Sequence, residues 1–180
     1  MKNLKPRTID LAVDGSKKYL QAIQKKMGFI PNMLGMFANS RPMLDGYLSL
    51  DTAFGKTSFT PTEQQLILLT VSVENMCMYC VAAHATLLKT AGTDETLIKA
   101  VRNGEKISDQ KLNALVTLTR EVVVERGFVT ERTKEEFIAA GYSDVAMMEV
   151  LMGVALKTIS NYLDHISAVP IDVQFQAAAF

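Results

Sequence analysis

The sequence predicts an all-α protein, on three observations. Apolar residues recur at spacings of three and four, as in amphipathic helices. Glycine, proline and capping residues separate these segments at intervals typical of helices. The 180 residues are 48% hydrophobic and 21% charged, which is typical of one globular domain with a sizeable core. We therefore predict a single all-α domain over residues 1–180, with an N-terminal helical segment at 1–59, a core carrying the cysteine motif at 60–168 and a C-terminal tail at 169–180.

The helices are predicted from start and stop signals. Glycines 28, 55, 92, 104, 127 and 141 follow helical patterns, and glycine is favoured just past a helix end. The tail after residue 169 is predicted to be irregular and packed on the body or on a neighbour. The predicted helices lie at residues 16–27, 33–38, 42–54, 61–74, 76–90, 93–103, 108–127, 130–141 and from 143 onward.

Two of these helices begin with capping-box patterns. Thr60 is followed by a proline and then by Glu63, which predicts a helix start at this point. The helix that follows is apolar on every side, so it belongs in the middle of the core. Thr130 begins another helix, with Thr133 and Glu136 as a second candidate capping box. Ser143 is predicted to cap the last long helix.

Composition excludes several classes of partner. Lys+Arg and Asp+Glu both total 19, and no block of five like charges occurs, so neither a nucleic-acid nor an anionic-membrane surface is expected. The N-terminus precedes no apolar run long enough for a secretory signal. We predict a soluble, cytoplasmic protein. The ten methionines indicate buried helix packing and a subunit interface, since no methionine cluster accompanies the cysteines.

The chain's two cysteines, Cys77 and Cys80, stand beside one of its two histidines, His84. In the cytosol an isolated C-x-x-C pair is more often catalytic or metal-binding than structural. A helix N-terminus stabilises a thiolate, and His84 lies one turn beyond Cys80 on the same face. Cys80 is the better candidate for the attacking thiolate, with Cys77 at the rim as its resolving partner. The order stays open, because in other C-x-x-C redox proteins the first cysteine attacks.

The motif has two other possible interpretations. The cysteines could be buried and inert, with His84 as a core histidine. A zinc site would need a carboxylate as fourth ligand, because His165 is the only further histidine and no other cysteine exists. We predict no metal and no cofactor. His165, on the last long helix, is more typical of a structural or interfacial position.

The run from Thr60 to His84, with the apolar helix and the C-x-x-C-x-x-x-H motif, resembles the carboxymuconolactone decarboxylase/alkylhydroperoxidase D-like family, and in particular its peroxidase-related branch. The stretches at 28–32, 161–166 and 170–172 resemble it too. The resemblance implies an all-α multi-helix bundle and a homo-oligomer, often a trimer or hexamer. It also implies a thiol peroxidase that is recharged by a dithiol donor, in the best-studied members a lipoyl-bearing protein.

Carried over by position, Cys80 matches the family's peroxide-reactive cysteine, Cys77 its disulfide partner and His84 its proton-relay histidine. The family's relay usually includes a glutamate twelve residues before the first cysteine, where this chain has Gln65. Gln65 cannot accept a proton, but it could orient His84 by a hydrogen bond. Glu74 and Glu63 are the nearby acids that could substitute, with Glu74 ranked first.

The leading hypothesis is a peroxidase that reduces organic or hydrogen peroxide through a Cys77–Cys80 dithiol/disulfide cycle, with His84 as proton shuttle. The alternatives are a disulfide reductase or redox sensor with weak peroxidase activity, a lyase acting on a lactone acid, and a non-catalytic oligomeric binding protein. The decarboxylase members lack the cysteine pair, which argues against the lyase.

Overall fold

The structure is a computed structural model that describes residues 4–13 and 15–179. Over these residues it contains helices and no strand, so the predicted all-α class is confirmed. The elements are α1 (Lys17–Met27), α2 (Asn32–Phe37), α3 (Arg41–Phe54), α4 (Pro61–Glu74), α5 (Met78–Thr90), α6 (Glu95–Asn103), α7 (Gln110–Val124), α8 (Glu131–Ala139), α9 (Asp144–Ser167) and a 3-10 helix at Val173–Ala178, called here the tail helix.

The capping-box predictions had different outcomes. Thr60 and Glu63 form the predicted box at the start of α4, with each side chain bonded to the other residue's backbone N–H. The second box, at Thr130, is wrong. Thr130 does cap α8, but its backbone N–H donates to Glu121 Oε1 at 2.7 Å, so Glu136 is not needed there.

Helix α4 lies at the centre of the protein, as its apolar pattern predicts. It packs against α5, α6, α7 and α9. Leu66, Ile67 and Leu69 are fully buried, and burying each side chain stabilises the fold by about 1.5–3 kcal/mol. A helix enclosed on all sides is a rigid support for the loop at its C-terminal end, which leads into the cysteine motif.

The C-terminal tail is more ordered than predicted. It forms the tail helix, which packs against α5. Just before that helix, Asp172 accepts a 2.6 Å hydrogen bond from the Tyr79 hydroxyl on α5 and bonds from the Asn32 backbone N–H at 3.1–3.2 Å. Asp172 therefore ties the tail, the start of α2 and the first turn of α5 together.

Between residues 4 and 179, leaving out 14, no single helix is long and apolar enough to cross a membrane. One pair, α8 and α9, reaches that length and composition only when the two helices are taken together, and they are bent by 112°.

Candidate functional site

A tight turn places the first cysteine at the start of α5. Met76 has a left-handed φ of 56°, unusual for a residue with a side chain, and the Cys77 backbone N–H donates to the Ser72 carbonyl at 3.0 Å. Cys77 is thereby the N-cap of α5, and its Sγ accepts a hydrogen bond from the Cys80 backbone N–H at 3.4 Å. Both sulfurs thus lie at a helix N-terminus, where a thiolate is stabilised.

Both cysteines are free thiols and both are buried. Cys77 is 0% and Cys80 2% exposed, so the expectation that Cys77 lies at the rim is wrong. Cys77 packs beneath α9, where its thiol donates to Asp164 Oδ2 at 3.3 Å. Cys80 instead lines a cavity of about 410 Å³ together with His84. A substrate in this cavity reaches Cys80, and Cys77 stands behind it.

Helix α9 presents a row of polar side chains to the motif. Ser160 Oγ lies 3.8 Å from Cys80 Sγ, Asn161 Oδ1 accepts from Asn75 Nδ2 at 3.0 Å, and Asp164 accepts from Cys77. One turn before Ser160, Lys157 is 2% exposed and also lines the cavity. The spacing of three, four and seven residues puts these groups on one face of the helix.

The two sulfurs have opposite acidities. Hydrogen bonding with Cys77, the charge of Lys157 and hydrogen bonding with Ser160 together lower the pKa of Cys80 to about 6, against the effect of burial. The pKa of Cys77 is raised by its hydrogen bond to Cys80, by burial and by the charges of Cys80 and Asp164. These opposite directions favour the thiolate on Cys80 and the thiol on Cys77.

The hydrogen bond predicted between Gln65 and His84 is present: His84 Nδ1 lies 2.9 Å from Gln65 Oε1. Because Oε1 only accepts, Nδ1 carries the imidazole proton and Nε2 keeps a free lone pair. Burial, and secondly the charge of Lys157, lower the pKa of His84 well below its ordinary value. His84 is therefore a neutral imidazole at neutral pH.

The cavity is larger than hydrogen peroxide needs and is mostly apolar. Its polar lining consists of Lys26, Tyr47, Asp51, Gln65, Tyr79, Cys80, His84 and Lys157. The apolar lining comes from six elements of the chain and consists of Met27, Pro31, Met33, Leu34, Leu48, Leu68, Ala83, Leu87 and Phe175. Such a pocket suits a compact organic molecule with one polar end.

The structure places the two candidate acids away from His84. Glu63 is 5% exposed and accepts hydrogen bonds from Thr60 and, at 2.7 Å, from the Tyr142 hydroxyl. Glu74 forms a 2.5 Å ion pair with Arg120. Both carboxylates have structural partners because α4 directs them to the opposite side from Gln65. Neither is positioned to substitute for the relay glutamate.

His165 lies outside the cysteine site. It is exposed on the outer face of α9, and its ring stacks on Tyr162 with centroids 5.9 Å apart. Within residues 4–13 and 15–179, no group of three or more His, Cys, Asp and Glu side chains has the arrangement of a metal site.

Three segments that are distant in the sequence from the cysteine motif meet around it. Residues 28–32 and 170–172 join through Asp172 and the Asn32 N–H, and Tyr79 in the motif donates to the same carboxylate. Residues 161–166 supply Asp164 to Cys77.

The sequence indicated these segments by resemblance, but it did not predict that Lys157 and Ser160 belong to the site. The polar row that α9 carries on an otherwise apolar helix could have indicated them.

The fold is all-α and alkylhydroperoxidase D-like, and it carries a buried dithiol at the start of α5. Residues 43–110, which include Gln65, both cysteines and His84, match the model of the Carboxymuconolactone decarboxylase family. The resemblance seen in the sequence is confirmed by this match. Among curated protein sequences, none is similar enough to match this chain.

Solved structures share the fold at low sequence identity. A peroxidase-related protein from Ralstonia eutropha JMP134, described as an alkylhydroperoxidase AhpD core, has a TM-score of 0.85 at 18% identity, covering 97% of this chain and 94% of its own. A peroxidase-related protein from Silicibacter sp. TM1040 has a TM-score of 0.82 at 17% identity, covering 94% and 91%. The debrominase Bmp8, in complex with 2,3,4-tribromopyrrole, has a TM-score of 0.81 at 13% identity, covering 98% and 95%.

Proposed function

We propose that the protein is a thiol-dependent peroxidase that reduces organic or hydrogen peroxide. The observation that carries the proposal is the asymmetry of the dithiol. Cys80 faces the cavity with its pKa lowered to about 6, whereas Cys77 lies behind it as a thiol bonded to Asp164. A buried thiolate beside a buried thiol is the starting state for attack on a peroxide followed by disulfide formation.

The first step is attack by Cys80 on the peroxide hydroxyl oxygen. A sulfur–oxygen bond forms and the oxygen–oxygen bond breaks, so Cys80 becomes a sulfenic acid and the peroxide leaves as an alkoxide that needs one proton. Cys77 then attacks the Cys80 sulfur, water leaves and the disulfide closes. Neighbouring positions on one helix turn bring the two sulfurs within disulfide reach, as the 3.4 Å contact of Cys77 Sγ with the Cys80 N–H indicates.

His84 has two possible tasks in this step. Its free Nε2 lone pair can accept the peroxide O–H and so orient the attacked oxygen toward Cys80. As the proton shuttle, an imidazole whose proton is on Nδ1 can donate from Nε2 only after Nε2 has itself accepted a proton. Its Nδ1 partner here is Gln65, whose amide oxygen cannot take up the Nδ1 proton in exchange. A shuttle through His84 therefore needs a second proton donor in the cavity.

The disulfide must be reduced by a donor that reaches it through the cavity. Both sulfurs are at most 2% exposed, so a bulky dithiol protein cannot contact them directly. A dithiol on a slender apolar arm, such as a dihydrolipoyl group on a carrier protein, can enter a cavity of about 410 Å³. Such a group attacks the disulfide, leaves as its own cyclic disulfide and returns Cys77 and Cys80 to thiols.

The fold neighbours suggest a second candidate. Bmp8 is a debrominase whose structure contains a tribromopyrrole, and the cavity here also has room for a compact ring beside a cysteine. A reductive dehalogenase would form the same Cys77–Cys80 disulfide but would release a halide.

Steady-state turnover tests the proposal. Cumene hydroperoxide and dihydrolipoamide are supplied together, and donor oxidation is followed for the wild type and for Cys80→Ser. A peroxidase consumes the donor continuously, and Cys80→Ser abolishes that consumption. A single turnover without continued consumption of the donor indicates the redox sensor. Release of halide from a bromopyrrole, without peroxide turnover, indicates the dehalogenase. Unreacted thiols with every oxidant indicate the non-catalytic binding protein.

We also propose that the protein is a homo-oligomer in which the outer side of α9 contacts a second copy of the chain. Val145, Met148, Leu151 and Tyr162 are 51–68% exposed along this longest helix, at spacings that put them on its outer side. An apolar strip without strong charge suits a copy of itself, since the chain has no net charge. The solution mass should correspond to a trimer or hexamer, and Met148→Glu with Leu151→Glu should reduce it. A monomeric wild type would contradict this.

A further inference from the structure

Lys157 is a buried lysine that the cysteine motif does not predict. Only 2% of it is exposed, and a buried ammonium group is stable only with acceptors or an opposite charge near it. Burial alone would lower the pKa of Lys157, but interaction with Cys80 reverses this and raises it. Lys157 and Cys80 line the same cavity, so the sulfur that faces the cavity is the counter-charge available to the ammonium group.

We infer that Lys157 holds Cys80 as a thiolate and then gives its proton to the leaving oxygen of the substrate. Lys157 thereby supplies the acid that neither Gln65 nor a neutral His84 supplies. The first half of this inference rests on the burial of Lys157 and on the cavity that it lines together with Cys80. The second half rests on the proposed peroxidase function.

The groups around the Cys80 sulfur favour Lys157 as the cation that stabilises its thiolate. His84 is neutral, and burial keeps the phenols of Tyr47 and Tyr79 protonated by raising their pKa values. Lys26 and Asp51, at the cavity edge, are exposed to water and screened. Among the described residues, the charged or titratable side chains that line the cavity with Cys80, or pair with those around it, are Lys26, Tyr47, Asp51, Tyr79, His84, Lys157, Asp164 and Asp172. Lys157 is the cation in this set that is buried and lines the cavity with Cys80.

Asp164 acts on the other sulfur. It lies two turns along α9 from Lys157 and accepts the Cys77 thiol hydrogen at 3.3 Å. A carboxylate disfavours a second negative charge beside it, so the proton stays on Cys77. One helix therefore places a cation at the attacking sulfur and an anion at the resolving sulfur, and this arrangement assigns the two roles.

The second half follows from the change in charge during the reaction. Before attack, the ammonium of Lys157 is balanced by the thiolate of Cys80. After attack, the sulfur is a neutral sulfenic acid, and a buried cation is left without its counter-charge. Burial then favours loss of a proton from Lys157 at the moment when the alkoxide needs one.

The atoms and charges balance through the cycle. The thiolate of Cys80, the ammonium of Lys157 and the peroxide give a sulfenic acid, a neutral amine and an alcohol. The amine takes the proton of Cys77 as this sulfur attacks, and the released hydroxide takes it back to leave as water. The products are one disulfide, one alcohol, one water and a neutral Lys157, which regains its proton when the donor restores the Cys80 thiolate.

The first test measures the thiolate without any peroxide. In a Cys77→Ser background one thiol remains, and its thiolate absorbance near 240 nm is followed against pH. Replacing Lys157 by Met should raise the midpoint by about one pH unit or more, because a buried counter-charge is lost. Lys157→Arg should keep the midpoint, and Lys99→Met, at an exposed lysine elsewhere, is the matched control. Circular dichroism tests whether each variant is folded. If Lys157→Met does not fold, Lys157→Gln is used in its place.

The second test separates the acid from the counter-charge. Single-turnover rates are divided by the measured thiolate fraction, for cumene hydroperoxide and for peracetic acid. The alkoxide of the first substrate needs a proton, whereas the carboxylate of the second does not. Without Lys157 the corrected rate should fall by about tenfold or more with the hydroperoxide and change by less than about threefold with the peracid.

Each outcome decides one part of the inference. An unchanged midpoint in Lys157→Met overturns the counter-charge. Equal losses with both oxidants overturn the acid. If wild-type Cys80 reacts with neither oxidant, the proposed peroxidase function and the acid role fail together, while the titration still decides whether Lys157 holds the thiolate.

Discussion

Replacing Gln65 with Glu restores the residue expected at the relay position, and its effect on His84 can be estimated. Gln65 Oε1 lies 2.9 Å from His84 Nδ1, so a carboxylate there would place its charge roughly 4 Å from that of an imidazolium. At an effective dielectric constant near 20 this attraction is worth about 4 kcal/mol. That corresponds to about three pKa units of stabilisation of the charged imidazole.

The attraction opposes the burial and the Lys157 charge that lower the pKa of His84 in the wild type. We expect the pKa of His84 in Gln65→Glu to rise by about two to three units, with the remainder offset by desolvation of the new carboxylate. A larger fraction of His84 would then be protonated at any given pH, and it could donate that proton to the leaving oxygen. Single-turnover reduction of an alkyl hydroperoxide should become faster, and it should depend less on Lys157.

Proton NMR titration measures this shift directly. The chain has two histidines, so the imidazole region contains two C2–H resonances, and His165→Gln assigns them. Gln65→Leu is the control, because it removes the hydrogen bond without adding a charge. A His84 midpoint that moves by less than about half a unit in Gln65→Glu would refute the electrostatic reasoning. A raised midpoint with an unchanged rate would remove this position from the proton path.

Three further predictions concern the framework of the site. Glu63→Gln should lower the free energy of unfolding in urea by about 1.5–3 kcal/mol, because buried charge-assisted hydrogen bonds are lost. Burial raises the pKa of Glu63, but its hydrogen bonds outweigh burial and lower it, so its stabilisation is present above the unfolded-state pKa near 4.3 and is lost as pH falls through the folded-state pKa. The variant should therefore lose less stability than the wild type on acidification. Gly153→Ala should cost about 1–3 kcal/mol, because its Cβ would lie 2.6 Å from a methyl group of Ile67, whereas Gly46→Ala, with open space around it, should stabilise α3; equal thermal shifts would contradict this. Glu74→Gln should leave the alkylation rate of Cys80 unchanged, since that acid pairs with Arg120, and a changed rate would return Glu74 to the site.

The sequence predicted the helices best where local signals agree. Helix α4 has the predicted bounds, Pro61–Glu74, because a capping box, an N1 proline and a continuous apolar run all specify it. The tail was missed because its 3-10 helix depends on Asp172 and Phe175 packing against α5, which no local pattern encodes. Helix α7 begins after Asp109 instead of Ser108, since both are good caps and only the fold selects one.

Within the site, the sequence identified the residues whose spacing is local. Cys77, Cys80 and His84 lie on one helix, and a resemblance located Gln65 on the preceding one. Lys157 and its neighbours come from a helix more than 70 positions away, so their contact with the sulfurs depends on how α9 packs. The burial of Cys77 has the same origin, because α9 covers a residue that would lie at an open helix end if α5 stood alone.

The central claim is that Cys77 and Cys80 are one redox pair, and counting free thiols tests it most directly. The reduced protein has two free thiols per chain. After exposure to one equivalent of an organic hydroperoxide, we expect both thiols to be lost with a mass decrease of two hydrogens. In Cys80→Ser the thiol of Cys77 should survive. Retention of both thiols in the wild type, or their loss in Cys80→Ser at the wild-type rate, would contradict it.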